Sequence, residues 1–472
     1  MKRAVVVLAG LGLFVGCGDN TPGGQGDDGA DAGPDNRSFE EKLSALPGVT
    51  VADQGPSGDF EYYVLQFAEP VDHDDPASAT FPMEVSLIHR DETKPLVVFT
   101  TGYSDYWHDS PWELTYYMGG DQISIEHRFF GTSKPASIDW TKLTIQQMAA
   151  DQHDIVTKLK TIYTAPMIAT GPSKGGMTPV FYRRFYPDDV AGTVPYVAPI
   201  SFGDPDTRYA AWFDTVGPSA TCRQRIKDLA IEMLHNRRAA IVTRAMAQSG
   251  HSYTRIAIGP AVESSIISFE WSFWQYVPSS RCNNLPDPAT ATDDQLFTLL
   301  DSVSPVTDND DEQVAFFEAY YYQSDYQLGY PSDGTSSYLA PYLMYTDADY
   351  AGITSATPTY DGGAAMNDVA DWLKTSGSKF AFIYGSNDPW TAGKFDLGGA
   401  TDATLSIASN NNHNSEIHDL EDADHDKVLD QLQAWSGVPL DDFRSRERPH
   451  VVAYPKMPRI PSAFMRAGHL AR

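Results

Sequence analysis

The chain has 472 residues, of which 42% are hydrophobic and 12% aromatic, so it can form a core of substantial size and is not globally disordered. With 34 Lys and Arg against 63 Asp and Glu, its formal net charge is -29, which would repel a phosphate backbone and excludes nucleic acid as an expected partner. It has no apolar run of the roughly 18 residues that a membrane-spanning helix needs.

The N-terminus has the pattern of an export signal. Lys2 and Arg3 precede a short apolar stretch that ends at Cys17, which predicts a secretory signal over residues 1–16. Residues 14–17, Phe-Val-Gly-Cys, resemble a bacterial lipobox, in which the cysteine is acylated and becomes the new N-terminus. We therefore expect an exported bacterial lipoprotein at the cell envelope or outer surface, whose only membrane contact is a lipid anchor on Cys17. An ordinary signal followed by a chance cysteine is the alternative.

The next segment, residues 17–38, is rich in Gly and Asp and has almost no large apolar side chain. Such a segment cannot bury enough surface to fold, so we expect a flexible tether. About 20 flexible residues reach roughly 25 Å, enough to hold a folded domain clear of a membrane surface.

Two cysteines remain after Cys17, namely Cys222 and Cys282. In an oxidising compartment, an even pair of cysteines favours a disulfide over free thiols. Two buried, unpaired cysteines are the alternative.

Residues 39–203 alternate between strand and helix patterns. Alternating or continuous apolar runs predict strands, and apolar residues three and four positions apart predict a helix. The predicted strands are 60–67, 82–89, 95–102, 122–128, 165–170 and 192–198, and the predicted helices are 143–162 and 175–186. This alternation predicts a mostly parallel α/β sheet.

The rest of the folded chain divides into three parts. Helical stretches such as 222–248 and 310–323 dominate residues 204–360, which predicts a mainly helical cap inserted in the C-terminal half of the sheet. The α/β pattern resumes over residues 361–440, with strands 379–384 and 404–408 and a helix near 427–435. Residues 441–472 form a basic, Pro-containing tail.

A chemical motif follows the predicted strand 165–170. Residues 171–175, Gly-Pro-Ser-Lys-Gly, match Gly-x-Ser-x-Gly between a strand and a helix, the context in which the motif has meaning. The serine of such a turn has strained backbone angles and needs small neighbours. We therefore expect Ser173 to be a nucleophile. The backbone N–H of Lys174, at the helix start, would face the oxyanion of the tetrahedral intermediate.

A serine nucleophile needs a base, and the base needs an acid that orients it. In an α/β-hydrolase fold the acid and then the histidine follow the serine in the chain. Asp388 lies on a loop after the strand 379–384, and His413 lies in the Asn-rich loop after the next strand. His418 and His425 compete with His413, but both fall in a predicted helix with acidic neighbours, where a solvated surface suits them better.

The second oxyanion donor is expected from the loop that follows the strand residues 96–101. Tyr103 is the expected donor, and Gly102 and Ser104 are the alternatives. No metal or cofactor is expected, because the 12 histidines show no paired ligand spacing and no dinucleotide fingerprint follows a predicted strand.

A family resemblance rests on several motifs taken together. Residues 126–135 read EHRFFGTSKP and precede the turn of Ser173, while YQ at 322–323, LGYP at 328–331 and DPW at 388–390 follow it. With these motifs the chain resembles the secreted prolyl tri/tetrapeptidyl aminopeptidases, serine peptidase family thirty-seven. It is more distantly similar to the lysosomal prolyl carboxypeptidase and dipeptidyl peptidase relatives, which usually have Tyr-Gly-Gly where this chain has Lys-Gly-Gly.

The resemblance implies an α/β-hydrolase fold with a helical cap. It also implies a serine exopeptidase that releases tripeptides or tetrapeptides from free N-termini, often after Pro, through an acyl-enzyme formed by Ser173, Asp388 and His413. One departure is the Asn-Asn pair before His413, in a loop where Gly is frequent.

An exopeptidase needs a closed end that fixes how many residues precede the cut. A carboxylate near that end would select a free, cationic amino group. Glu318 and Asp325, in the aromatic-rich part of the cap, are the candidates. A solvated helix face is the alternative for each.

Two other functions remain open at this point. A lipase or esterase fits the same serine motif, although no HGGG-type oxyanion motif precedes Ser173. A surface binding protein on the same fold would need none of the three residue types that the triad requires. The oligomeric state cannot be read from these patterns.

Overall fold

The computed structural model describes residues 36–105, 110–332 and 336–443. The predicted signal, Cys17, most of the predicted tether and the tail beyond residue 443 lie outside these residues. No helix in the described part is long and apolar enough to cross a membrane.

Nine strands of the described residues form one sheet. Their bounds are β1 Val49–Ser57, β2 Phe60–Pro70, β3 Thr80–His89, β4 Leu96–Thr100, β5 Asp121–Ile125, β6 Met167–Pro172, β7 Gly192–Tyr196, β8 Ser378–Gly385 and β9 Thr401–Ala408. The strand order is β1-β2-β3-β5-β4-β6-β7-β8-β9. The pairs β1–β2, β2–β3 and β3–β5 are antiparallel. All the other neighbouring pairs are parallel. This is the sheet of an α/β-hydrolase fold, as the sequence predicts.

The helices of the described residues lie before, between and after these strands in the chain. Their bounds are α1 Phe39–Ser44, α2 Glu113–Met118, α3 Ile145–Leu159, α4 Lys174–Phe185, α5 Ala210–Phe213, α6 Ala220–Ile231, α7 Arg238–Ala247, α8 Ile258–Ile267, α9 Phe269–Tyr276, α10 Asp293–Val303, α11 Asp311–Gln323, α12 Ser336–Leu339, α13 Ala364–Ser376 and α14 Asp422–Ser436. Helices α5 to α12 fall within residues 204–360.

Burial explains why the central elements form where they do. Every residue of β4, β5, β6 and β7 is buried, as expected for central strands that are covered on both faces. Helix α3 begins after Thr144, whose side chain accepts the N–H of Gln147, and its apolar residues three and four positions apart face the core. Strand β1 was not predicted, because Gly55 and Pro56 interrupt its pattern at the edge of the sheet.

Residues 204–360, the predicted cap, contain α5 to α12 and no strand within their described part. The predicted helix 222–248 is not continuous, because a π-helical turn at Glu232–Asn236 separates α6 from α7. The predicted disulfide is present: Cys222 at the start of α6 bonds to Cys282 in a 3-10 helix after α9. It closes a loop with a sequence separation of 60, which stabilises the cap by about 4 kcal/mol on the chain-entropy estimate.

Candidate active site

Ser173 is the single residue between β6 and α4. Its φ is 58° and its ψ is -127°, a conformation that residues with a side chain rarely adopt. Its N–H donates to the carbonyl oxygen of Tyr196 at 2.9 Å, and its own carbonyl accepts the N–H groups of Gly176 and Met177. These bonds hold the strained turn that the sequence motif predicts.

Two glycines beside Ser173 allow β4 to approach this turn. A Cβ atom on Gly171 would lie 2.3 Å from the carbonyl oxygen of Thr100, and one on Gly175 would lie 2.2 Å from the same oxygen. Such contacts are too short for any side chain. Glycine is therefore required at both positions, and the ends of β4, β6 and α4 meet through backbone atoms.

A proline within α4 strengthens this junction. Pro179 has no N–H, so the carbonyl of Gly175 lacks the donor that the helix would normally supply. The hydroxyl of Thr100 donates to that carbonyl at 2.7 Å instead. The end of β4 is thereby tied to the helix that carries the nucleophile turn.

Asp388 and His413 form a buried pair at the ends of β8 and β9. Their side chains are 0% and 4% exposed, and Nδ1 of His413 lies 2.7 Å from Oδ2 of Asp388. The other carboxylate oxygen accepts the backbone N–H of Trp390. Burial raises the pKa of Asp388, while His413 and the N–H of Trp390 oppose that rise. The acid fixes the ring so that Nε2 is left for proton transfer.

Trp390 is close to both Ser173 and His413. Trp390 lines the same cavity as Ser173, and its ring centroid is 6.4 Å from that of the imidazole. Nε2 of His413 is buried and makes no hydrogen bond to Ser173 or to any other described residue. In serine hydrolases without substrate this bond is often long and shortens when substrate binds.

The loop of His413 is held from two sides. Asn410 has a φ of 59°, in the left-handed region that Asn tolerates better than most residues. The N–H of His413 donates to the carbonyl oxygen of Gln275 in α9 at 3.1 Å. The cap therefore contacts the histidine loop directly.

The two competing histidines lie elsewhere. His418 is in a 3-10 helix, and hydrogen bonds with Glu113 and Glu416 raise its pKa to about 10. His425 is on α14 and is only 3% exposed, with Nε2 3.3 Å from the hydroxyl of Tyr117. The expectation that both lie on a solvated helix surface is wrong: His425 packs into the core against α2, and His418 precedes the helix.

The two expected oxyanion donors differ in the hydrogen bonds that their N–H groups make. The N–H of Lys174 is at the first position of α4 and makes no hydrogen bond within the described part of the chain. The N–H of Tyr103 instead donates to the hydroxyl of Thr101 at 3.1 Å, so the prediction of Tyr103 as the second donor is not supported. Gly102 and Ser104 stay predictions.

The side chain of Lys174 is buried beside the turn. Its Nζ donates to the carbonyl oxygen of Gly102 at 2.6 Å and lies about 5 Å from the ring centroids of Tyr103 and Phe130. Burial lowers the pKa of this amine well below its ordinary value. The residue after the nucleophile therefore anchors the loop that follows β4.

A small cavity opens beside Ser173. Its walls come from α4 and the turn before it, from the loops after β4, β7 and β8, and from the predicted cap, and they are mainly aromatic and apolar. The lining residues are Tyr103, Ser173, Lys174, Met177, Pro199, Ser201, Tyr320, Leu328, Gly329 and Trp390.

The two acidic residues expected near the substrate differ in their surroundings. Glu318 is bound by Arg255 at 2.8 Å and by the N–H of Ser355 at 2.6 Å, so its charge is already compensated and it does not line the cavity. Its predicted role in amine binding is not supported. Asp325 lies in the π-helical turn Ser324–Leu328, whose last residue lines the cavity. Burial raises the pKa of Tyr320, another lining residue, and the charge of Asp325 adds to that rise.

Gln275 had no role in the sequence analysis, and Trp390 entered it only as part of the DPW motif, without a role in the site. Gln275 belongs to no motif, and no local pattern reveals that its carbonyl binds His413. Trp390, in contrast, follows Asp388 within an Asp-Pro-Trp sequence, and an Asp followed by Pro commonly caps a short helix.

Comparison with known proteins identifies the family. The model of the PS-10 peptidase S37 family matches residues 32–455. The chain belongs to this family of serine peptidases. It is 34% identical over 410 residues to the prolyl tri/tetrapeptidyl aminopeptidase of Streptomyces mobaraensis, covering 85% of each chain. It is also 32% identical over 160 residues to the lysosomal Pro-X carboxypeptidase of Mus musculus, over 30% of this chain and 33% of that one.

Among solved structures, the proline iminopeptidase of Mycobacterium smegmatis aligns with 81% of this chain and 98% of its own. The identity is 15% and the TM-score is 0.37, which is too distant to carry an argument. The assignment of an S37 peptidase with an α/β-hydrolase fold therefore rests on the family match, the strand order and the turn at Ser173. It confirms the resemblance that the motifs predict.

The histidine assignment can be tested with a matched pair of variants. His413→Ala should lower kcat by at least about 10⁴-fold, as loss of Ser173 should, because the members of a triad act as a unit. His425→Gln, which keeps a polar group near Tyr117, should retain nearly full activity. Peptide hydrolysis and thermal unfolding would be measured for both. Near-normal activity of His413→Ala would contradict the assignment.

Proposed function

We propose that this S37 peptidase is an exported exopeptidase that releases tripeptides or tetrapeptides from free N-termini, with Pro preferred before the cut. The observation that carries the proposal is the buried Asp388–His413 pair beside the cavity of Ser173. The S37 relative named a prolyl tri/tetrapeptidyl aminopeptidase supports the choice of substrate.

The mechanism is a two-step acyl transfer. Oγ of Ser173 attacks the carbonyl carbon of the scissile bond while Nε2 of His413 takes the hydroxyl proton, and Asp388 stabilises the imidazolium. The oxyanion that forms accepts a hydrogen bond from the backbone N–H of Lys174. His413 then gives its proton to the leaving amine, and water hydrolyses the acyl-enzyme by the same route in reverse.

The cavity suits a proline on the acyl side of the cut. Tyr103, Tyr320 and Trp390 line the cavity of Ser173, and flat aromatic rings pack well against a prolyl ring. The cavity is small, so a short, rigid side chain fills it better than a long one. This argument favours a peptide over a long-chain ester.

The cap supplies the closed end. Tyr320, Leu328 and Gly329 come from α11 and the turn that follows it, so this part of the cap covers the serine. Asp325 lies on the same turn, and we propose that its carboxylate binds the free amino group of the substrate. The net charge of -29 also favours the approach of a cationic N-terminus over an anionic one.

The nucleophile can be tested by covalent labelling. A fluorophosphonate should modify Ser173 in the native enzyme, because the turn presents an activated hydroxyl to the cavity. Ser173→Ala should lose both labelling and hydrolysis while its unfolding midpoint stays close to wild type. Mass spectrometry of the labelled peptide would identify the site. Labelling of another serine would overturn the assignment.

Amine recognition can be tested with paired peptides. A peptide with Pro before the cut and a free amine two or three residues upstream should be cleaved at least about tenfold faster than its N-acetylated form, a difference of about 1.4 kcal/mol. Asp325→Asn should shrink this ratio. Glu318→Gln is the matched control and should preserve it, since Arg255 already compensates that charge. Equal rates for the two peptides in the native enzyme would exclude amine recognition.

We further propose that the mature protein is anchored through an acylated Cys17. The basic start, the apolar stretch and the lipobox-like ending support this proposal. Expressed in a bacterium that processes lipoproteins, the full-length chain should partition into detergent and begin at a lipid-modified Cys17. Cys17→Ser should block processing or release the protein in soluble form. An intact, unacylated chain in the medium would argue against the anchor.

A further inference from the structure

Glu113 is a fully buried carboxylate outside the proposed triad. It begins α2, is 0% exposed and accepts four hydrogen bonds. One oxygen accepts the hydroxyl of Tyr196 at 3.1 Å and the N–H of Ile417 at 3.0 Å. The other accepts the N–H of His418 at 2.9 Å and Nδ1 of the same residue at 3.1 Å.

These donors belong to the two segments that support the triad. The carbonyl of Tyr196 accepts the N–H of Ser173, so this tyrosine supports the nucleophile turn. Ile417 follows His413 closely in the same loop. His413 itself lies in a tight turn, in which the hydroxyl of Ser415 donates to the carbonyl of Asn412 at 2.6 Å. A single carboxylate therefore joins the supports of the serine and of the histidine.

We propose that Glu113 is a positioning residue, which sets the place of the His413 loop relative to the Ser173 turn. This inference rests on the proposed catalytic roles of those two residues. Glu113 itself touches neither the substrate nor the reacting atoms. It acts through Tyr196 on one side and through Ile417 and His418 on the other.

The chemistry of the site explains why an acid is needed there. Both oxygens of a carboxylate accept hydrogen bonds, so all four donors are satisfied. A glutamine of the same shape has only one oxygen, and its NH₂ group would face either the Tyr196 and Ile417 donors or those of His418. Two donors that face each other repel, so the histidine loop would shift. A misplacement of about 1 Å in an active site costs roughly 10²-fold in rate.

A second buried carboxylate, that of Asp121, accepts hydrogen bonds from the same kinds of donor, and we expect no catalytic role for it. Asp121 is also 0% exposed and also accepts from a tyrosine hydroxyl, a histidine Nδ1 and two backbone N–H groups. It begins β5, whose first residue pairs with the first residue of β4. Asp121 therefore lies at the amino ends of the parallel strands, whereas Ser173 follows the carboxyl end of β6.

The experiment compares Glu113→Gln with Asp121→Asn in the full-length enzyme. Each variant replaces a buried carboxylate by its amide among the same kinds of donor, so denaturant unfolding should show a similar loss of stability for both. Glu113→Gln should lower kcat by about 10²-fold with KM changed less than about twofold, because the binding cavity is left intact. It should slow fluorophosphonate labelling by a similar factor. Asp121→Asn should keep kcat near wild type.

A milder variant covers the case in which Glu113→Gln does not fold. Tyr196→Phe removes only one donor to Glu113 and leaves the backbone bond to Ser173 in place. It should lower kcat several-fold with KM unchanged, while Tyr163→Phe, the counterpart at Asp121, should not.

Three outcomes separate the possibilities. A wild-type kcat in Glu113→Gln, or an equal fall in kcat in Asp121→Asn, would reduce Glu113 to a structural residue and overturn the inference. The proposed function would survive this failure of the Glu113 inference if Ser173→Ala and His413→Ala are inactive in the same experiment. If those two variants stay active, the proposed function itself fails, and the inference about Glu113 fails with it.

Discussion

The close backbone contact at the turn of Ser173 is the constraint on which the rest of the site depends. With no side chain on Gly171 or Gly175, the carbonyl of Thr100 approaches the start of α4 to a distance that any Cβ atom would prevent. This approach brings the loop after β4 close enough for Lys174 to bind the carbonyl of Gly102. The strain at Ser173, the expected oxyanion site and one wall of the cavity therefore have a common origin.

Buried acids organise the other half of the site. Asp388 orients His413, and Glu113 connects the loop of that histidine to the strand beside the nucleophile. Each of these carboxylates is fully buried, and each is satisfied by backbone N–H groups and neutral or histidine side chains rather than by Lys or Arg. A buried carboxylate with several donors holds a definite geometry, because removing any donor leaves an uncompensated charge.

The sequence predicts those features of the site that depend on local context. Ser173 lies on a strand–helix turn, and Asp388 and His413 follow the next strands, so a few neighbouring residues suffice to place them. Features that depend on distant partners were missed or misjudged. Glu318 is neutralised by Arg255, 63 residues away, and His425 is buried against Tyr117, 308 residues away. No periodicity or spacing reveals such partners.

The replacement of a helical donor by the hydroxyl of Thr100 makes two distant positions interdependent. Thr100 is needed because Pro179 cannot serve the carbonyl of Gly175. A relative with an N–H at the position of Pro179 would be free to have valine in place of Thr100, whereas proline together with valine would leave a buried carbonyl without a donor. The two positions should therefore vary together among relatives, although one belongs to a strand and the other to a helix.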